Sequence, residues 1–162
     1  MAVPDSIAVA AEIFKQNTHF LRKNVEGLSD EEWVRRPLGS GNHVLWIVGH
    51  VALSRGLTLK RLGDDWGKPW MSLFGRGLPC DDSAAYPTPE EAMLAWNESS
   101  AHMKAAMESA SAELLATPST QGPPSADGKV SGVVNFMAYH ETYHVGQLAY
   151  LRGLFGHKGA MG

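Results

Sequence analysis

The chain has 162 residues and a single cysteine, Cys80, which excludes an intrachain disulfide framework. Nothing in its composition therefore asks for an oxidising compartment. It has no apolar run approaching the ~18 residues that a membrane-spanning helix needs. Neither charge sign dominates: 14 Lys and Arg against 17 Asp and Glu leave a formal charge of −3. That balance exerts no broad pull on nucleic acid or acidic membrane surfaces. Asp5 and Glu12 stand where a secretory signal would need a basic start and a long apolar stretch. Strand-type alternation of apolar and polar residues is missing, and so is any internal repeat. These absences predict a cytoplasmic protein with no nucleic-acid or membrane partner.

What is present is 44% hydrophobic and 19% charged, the balance of a globular domain. At this length folding buries roughly 70% of the extended surface, enough for one real core. The expectation is a single domain over residues 1–162.

Helical periodicity accounts for most of the chain. Ile7, Ala11, Phe14, Thr18, Leu21, Val25 and Leu28 recur at steps of four and three, predicting a first long helix from about Pro4 to Gly27. Ser29 with Glu32 reads as a capping box that opens a short helix ending before Pro37. The second long helix spans Asn42 to Leu62, with Leu45, Val48, Ala52, Leu59 and Leu62 on one face. His43, Ile47, His50, Ser54 and Leu57 form a neighbouring stripe. Residues 64–87 have no sustained period but carry Trp66, Trp70, Phe74 and Tyr86, which predicts a long loop packed on the body. It is expected to cover one end of the bundle and shape a substrate pocket. Thr88, Pro89 and Glu91 start a third helix whose stripe runs from Met93 through Trp96, Met103 and Met107 to Leu114. A Pro-, Ser- and Gly-rich stretch from Thr117 to Lys129 reads as a mobile linker. The last helix runs from Val130 to Gly153, with Val133, Met137, His140, His144, Gln147, Leu151 and Leu154 in line. Four amphipathic helices of about 20 residues, each roughly 30 Å long, predict an all-α four-helix bundle with long crossover connections.

The chemistry concentrates on histidine. His140 and His144 are four apart on a helix, so both rings point one way. Their stripe is otherwise apolar, and two imidazoles side by side in a core cannot both carry charge cheaply. A divalent ion resolves this, because it takes neutral imidazole as ligand. The bland alternative is a pair of core histidines satisfied by carbonyls and water. His50, in the apolar run Val44–Ala52, is the candidate third ligand. His43 is a weaker candidate for a fourth, placed more naturally near the helix start at the mouth of the cavity. His19 and His102 have polar neighbours and are expected at the surface. Cys80 follows Pro79 in the long loop and reads as an inert thiol rather than a nucleophile.

The segment His140-Glu141-Thr142-Tyr143-His144 is also an H-E-x-x-H sequence, the signature of zinc proteases with Glu141 as general base. Such enzymes take a further ligand downstream, yet no Asp or Glu follows His144, and the extended motif is broken by Gln147 and Tyr150. His157 is the one downstream candidate, in a Gly-rich tail. A peptide substrate also wants a strand edge, and none is predicted. Glu141 is then expected to support the site from outside the ligand set or to lie at the surface. Gln147, one turn past His144, can orient a bound water or substrate or hold a ligand ring. Tyr143 can supply a phenol or simply pack.

Three segments together resemble the DinB-like (YfiT-like) metalloenzymes over nearly the whole chain. Leu28–Trp33 with Arg36-Pro37 looks like the family's connector after helix one. Trp46–Ala52 looks like its second-helix ligand segment, and His140–Leu148 resembles its final-helix motif. Val145 departs from the pattern, since relatives often carry a basic residue there. The resemblance implies a divalent ion, zinc or nickel, held by His50, His140 and His144, and a homodimer. It also implies chemistry on a low-molecular-weight thiol cosubstrate. Three neutral ligands leave the ion's charge uncompensated and a coordination position open, as catalytic rather than structural zinc requires. The expected activity is transfer of the thiol to a small electrophile. The alternatives are a metal-dependent hydrolase using activated water and a non-catalytic metal- or ligand-binding bundle.

Overall fold

The computed structural model describes residues 2–37, 39–119 and 122–160. They fold as an all-α protein. A 3-10 turn at Asp5–Ile7 leads into α1 (Ala8–Val25), followed by α2 (Asp30–Val34), α3 (Val44–Arg61), α4 (Pro89–Ser109), α5 (Ala112–Leu115) and α6 (Val130–Leu154). The four long helices pack in a ring. α1 lies against α6 and α4, and α3 lies against the same two. Among the described residues the only β-pairing is an isolated bridge between Pro118 and Lys129.

Local chemistry sets the boundaries. Both sequence-predicted capping boxes form: Ser29 with Glu32 opens α2, and Thr88 with Glu91 opens α4. The apolar run expected to reach Leu114 breaks at Ala110, whose backbone is extended, and Ser111 caps the separate α5 through a bond from Leu114 N–H. The long loop is less irregular than its sequence suggests, because Pro69–Phe74 winds into a 3-10 helix packed on α3. The expected mobile linker is tied down near α6. Asp127 accepts bonds from the backbone N–H groups of Lys129 and Gly132 and from the hydroxyls of Ser125 and Ser131. Those bonds hold its carboxyl down at about 2. Residues 120 and 121 of that linker, and the extreme ends of the 1–162 range, lie outside the described residues.

Two apolar clusters make the core. One gathers Ile7, Phe14, Leu59, Met103, Met107, Val133 and Met137. The other gathers Leu21, Trp33, Trp46, Val51, Phe74, Trp96 and Leu148. Full burial of side chains this large contributes roughly 1.5–3 kcal/mol each. The predicted stripes on α3 and α6 are mostly buried but end short. On α3 Leu57 is exposed rather than buried. On α6 Val133, Met137, His144 and Leu151 are buried as expected, a second buried line runs through Val134, Ala138, Glu141, Val145 and Leu148, and Leu154 is exposed. The histidines therefore lie along one edge of the buried face, and Glu141 lies at its centre.

Candidate metal centre

α3 delivers His50 and α6 delivers His140 and His144 to one place, where three ring nitrogens converge. His140 Nε2 is 3.4 Å from His50 Nε2 and 3.2 Å from His144 Nε2. His50 and His144 are buried, and His140 is half-buried. The outer nitrogens fix which way two rings offer their lone pairs. His50 Nδ1 lies 2.8 Å from the Phe74 carbonyl, which can only accept, so Nδ1 carries the proton and Nε2 the free pair. His144 Nδ1 lies 2.7 Å from Gln147 Oε1 with the same consequence. His140 Nδ1 is buried without a hydrogen-bond partner. Trp46 stacks on the His50 ring at 5.0 Å and closes that side of the cluster.

This arrangement fits a divalent ion. Metal–imidazole bonds of ~2.0–2.1 Å place the nitrogens of a tetrahedral site about 3.4 Å apart, close to the spacings observed. Ligand imidazoles must be neutral, and all three are pushed below the ordinary histidine range. Burial is the main cause for each; for His144, with His50 adding to it, the result is about 4. The carbonyl on His50 and the amide on His144 are the outer supports that orient ligating rings.

The other sequence candidates separate clearly. Gln147 reaches the site, bonding His144 through Oε1 while its Nε2 donates to the Tyr143 hydroxyl at 3.3 Å. Tyr143 is exposed at the edge. Glu141 is not at the surface and does not face the histidine cluster. It is fully buried on the core side of α6, with its carboxylate gripped by Arg55 at 2.7 and 2.8 Å. Burial pushes its carboxyl up and Arg55 opposes that; two charge-assisted bonds hold it as the carboxylate. Buried in the core and turned toward Arg55, it is not placed to activate a water at the cluster, so the protease reading fails on geometry. His157, the downstream alternative, bonds Glu32. Arg55 itself escaped notice in the sequence, although a basic residue in an apolar helix one and a half turns past His50 was a visible signal.

His43 is not a fourth ligand. It caps α3, with Nδ1 accepting from Trp46 N–H at 3.0 Å. His19 is exposed as expected, whereas His102 is half-buried and held 2.6 Å from Asp64. His43, Cys80 and Asp82 bring donor atoms within 4.8 Å of one another. Two facts oppose a cation there: the cap leaves the proton on Nε2, and Arg36 already pairs with Asp82 at 2.6 Å.

Two cavities flank the bundle. One of about 260 Å³ lies between the α2–α3 connection and α6, with Gln147, Tyr150 and Ile47 on its wall. A larger one of about 580 Å³ lies between α1 and α4 and touches none of the three histidines. Size alone does not mark the site; the donor set does. The long loop reaches the cluster through the Phe74 carbonyl, which bonds His50.

No helix among the described residues is long and apolar enough to cross a membrane. No protein of curated function matches the chain. A model of the DinB superfamily matches residues 13–148, a span that contains all three histidines and both helices that carry them, and the chain belongs to that superfamily.

Proposed function

We propose that this protein is a metal-dependent enzyme in which His50, His140 and His144 hold zinc or nickel and a low-molecular-weight thiol is transferred to a small electrophile. The observation that carries the reading is the placing of His140 Nε2 3.4 Å from His50 Nε2 and 3.2 Å from His144 Nε2, with ligand atoms of all three within 4.8 Å of one another and two outer nitrogens already committed as donors. The bound ion would supply a Lewis acid that draws a thiol to its thiolate at neutral pH.

The chain's own residues do the rest. Burial keeps the three imidazoles neutral, so their lone pairs stay available. Phe74 and Gln147 hold two rings in one tautomer. Trp46 excludes water from the His50 side. Tyr143 takes a bond from Gln147, and its own O–H is left to donate to a substrate entering from solvent.

The test is elemental analysis of untagged protein beside His50→Ala and His144→Ala, followed by a thiol-plus-electrophile assay. About one ion per chain in the wild type, lost in both folded variants, with thiol consumption that depends on the ion, supports the reading. Metal-free wild type that takes up none on titration overturns the metal centre. Thiol-independent hydrolysis of an ester or amide overturns thiol transfer in favour of a hydrolase.

A further inference from the structure

Glu141 stands between two candidate ligands in sequence, yet it faces the core. Its partner, Arg55, lies five residues after His50 on α3. The pair therefore joins the two helices that carry the histidines, within one and a half turns of each ligand. Its side chains are 0% and 1% exposed. Arg55 Nε donates to Glu141 Oε2 at 2.7 Å and Nη2 to Oε1 at 2.8 Å, a two-pronged grip. Nη1 donates to Ser100 Oγ on α4 at 2.7 Å, and Nη2 donates to Thr18 Oγ1 on α1 at 2.9 Å. The guanidinium lies 3.5 Å over the Trp96 ring. One α3 side chain is thus fastened to all three of the other long helices.

Stability does not explain this investment in charge. Replacing a buried ion pair by apolar residues of similar volume is often neutral or stabilising. What a two-pronged pair supplies, and apolar contact does not, is direction: the fork meets the carboxylate in one register. The histidine cluster needs that register. His50 comes from α3 while His140 and His144 come from α6, and a slide of about 1 Å between the helices would spoil spacings of 3.2 and 3.4 Å.

We propose that Arg55 and Glu141 are the positioning residues of the metal centre: they set the register of α3 against α6, and so the spacing of His50 from the α6 histidines, without touching ion or substrate. This rests on the metal reading above. It assigns the Glu of the H-E-x-x-H segment a role unrelated to its role in proteases.

The experiment compares wild type with Arg55→Met/Glu141→Leu and with Arg55→Lys, which keeps the charge but loses the fork. Three quantities are read: the melting temperature without metal, the zinc dissociation constant against a chromophoric chelator, and the visible spectrum of the cobalt-substituted protein. The expected result is a double variant that melts near wild type but binds zinc roughly tenfold or more weakly, with an altered cobalt spectrum. Arg55→Lys should fall between. Wild-type zinc affinity and an unchanged spectrum in a folded double variant overturn the proposal. Where the double variant does not fold, Arg55→Lys decides by the same two readouts. Zinc that fails to bind wild type overturns the metal reading and this inference together, whereas zinc that binds wild type and variants alike overturns this inference alone.

Discussion

His144 illustrates how much one side chain depends on its neighbours. Burial and His50 lower its proton affinity to about 4, while Gln147 fixes the proton that remains on Nδ1. Gln147→Leu removes that acceptor with little change of volume. Zinc affinity should fall about 10- to 100-fold by chelator competition, the usual effect of losing such a support. Unchanged affinity would show that the amide orients nothing. The same lowered values set a pH dependence in the metal-free protein. An unfolded histidine takes up its proton near pH 6.5, but folded His144 resists until about 4, and His50 and His140 are shifted the same way. Between those limits the unfolded state binds more protons, so stability is full above about pH 6.5 and is lost as pH falls toward 4. Urea midpoints in the presence of chelator should drop across that window, and less steeply in His144→Ala. Both proteins retain Glu141, so the difference between them reports the histidine cluster.

At the scale of elements, the long loop acts as a brace. Its 3-10 helix presents Phe74, whose ring packs on α3 at Gly49 and whose carbonyl accepts a hydrogen bond from His50 Nδ1–H. A Cβ at position 49 would stand 2.5 Å from the Phe74 ring, so only glycine admits this approach. Gly49→Ala should push the ring and its carbonyl outward. We expect a loss of about 1–3 kcal/mol from overpacking, together with weaker zinc binding, both measured on the purified variant. Full zinc affinity in a destabilised Gly49→Ala protein would show that the carbonyl is dispensable. Neither Phe74's role nor Gly49's was legible in the sequence. Residues 64–87 have no period to read, and the bond from His50 spans 24 residues. The capping boxes were legible because their chemistry lies within four residues.

The whole molecule couples the centre to folding. Its ligands lie on two helices, about 90 residues apart in sequence, and meet only in the folded chain. An ion that binds the folded state alone adds RT ln(1 + [L]/Kd), about 2.7 kcal/mol at a hundredfold excess over Kd. Zinc should therefore raise the melting temperature of wild type, and chelator should reverse the shift. His50→Ala, which retains the α6 pair, should show little of it by calorimetry. An equal shift in that variant would place the ion elsewhere.

The sequence by itself determined the long helices, the two capping boxes and the shared face of His140 and His144, because each rests on spacings of three or four residues that local geometry reads directly, and it offered His50 as an ionisable side chain in an apolar run. The H-E-x-x-H segment gave an ambiguous signal for the same reason: spacing puts His140 and His144 on one face but does not say what the residue between them meets. Only the tertiary structure decided that. The line Val134, Ala138, Glu141, Val145 and Leu148 was available at steps of four and three, yet a carboxylate at its centre is sensible only once Arg55 arrives from another helix. Packing α3 against α6 turned Glu141 from an apparent catalytic base into a buried partner of Arg55. The loop's hold on His50 through the Phe74 carbonyl, across 24 residues of chain, was decided the same way. Each of these joins groups through space rather than along the chain, and periodicity carries no information about such partners.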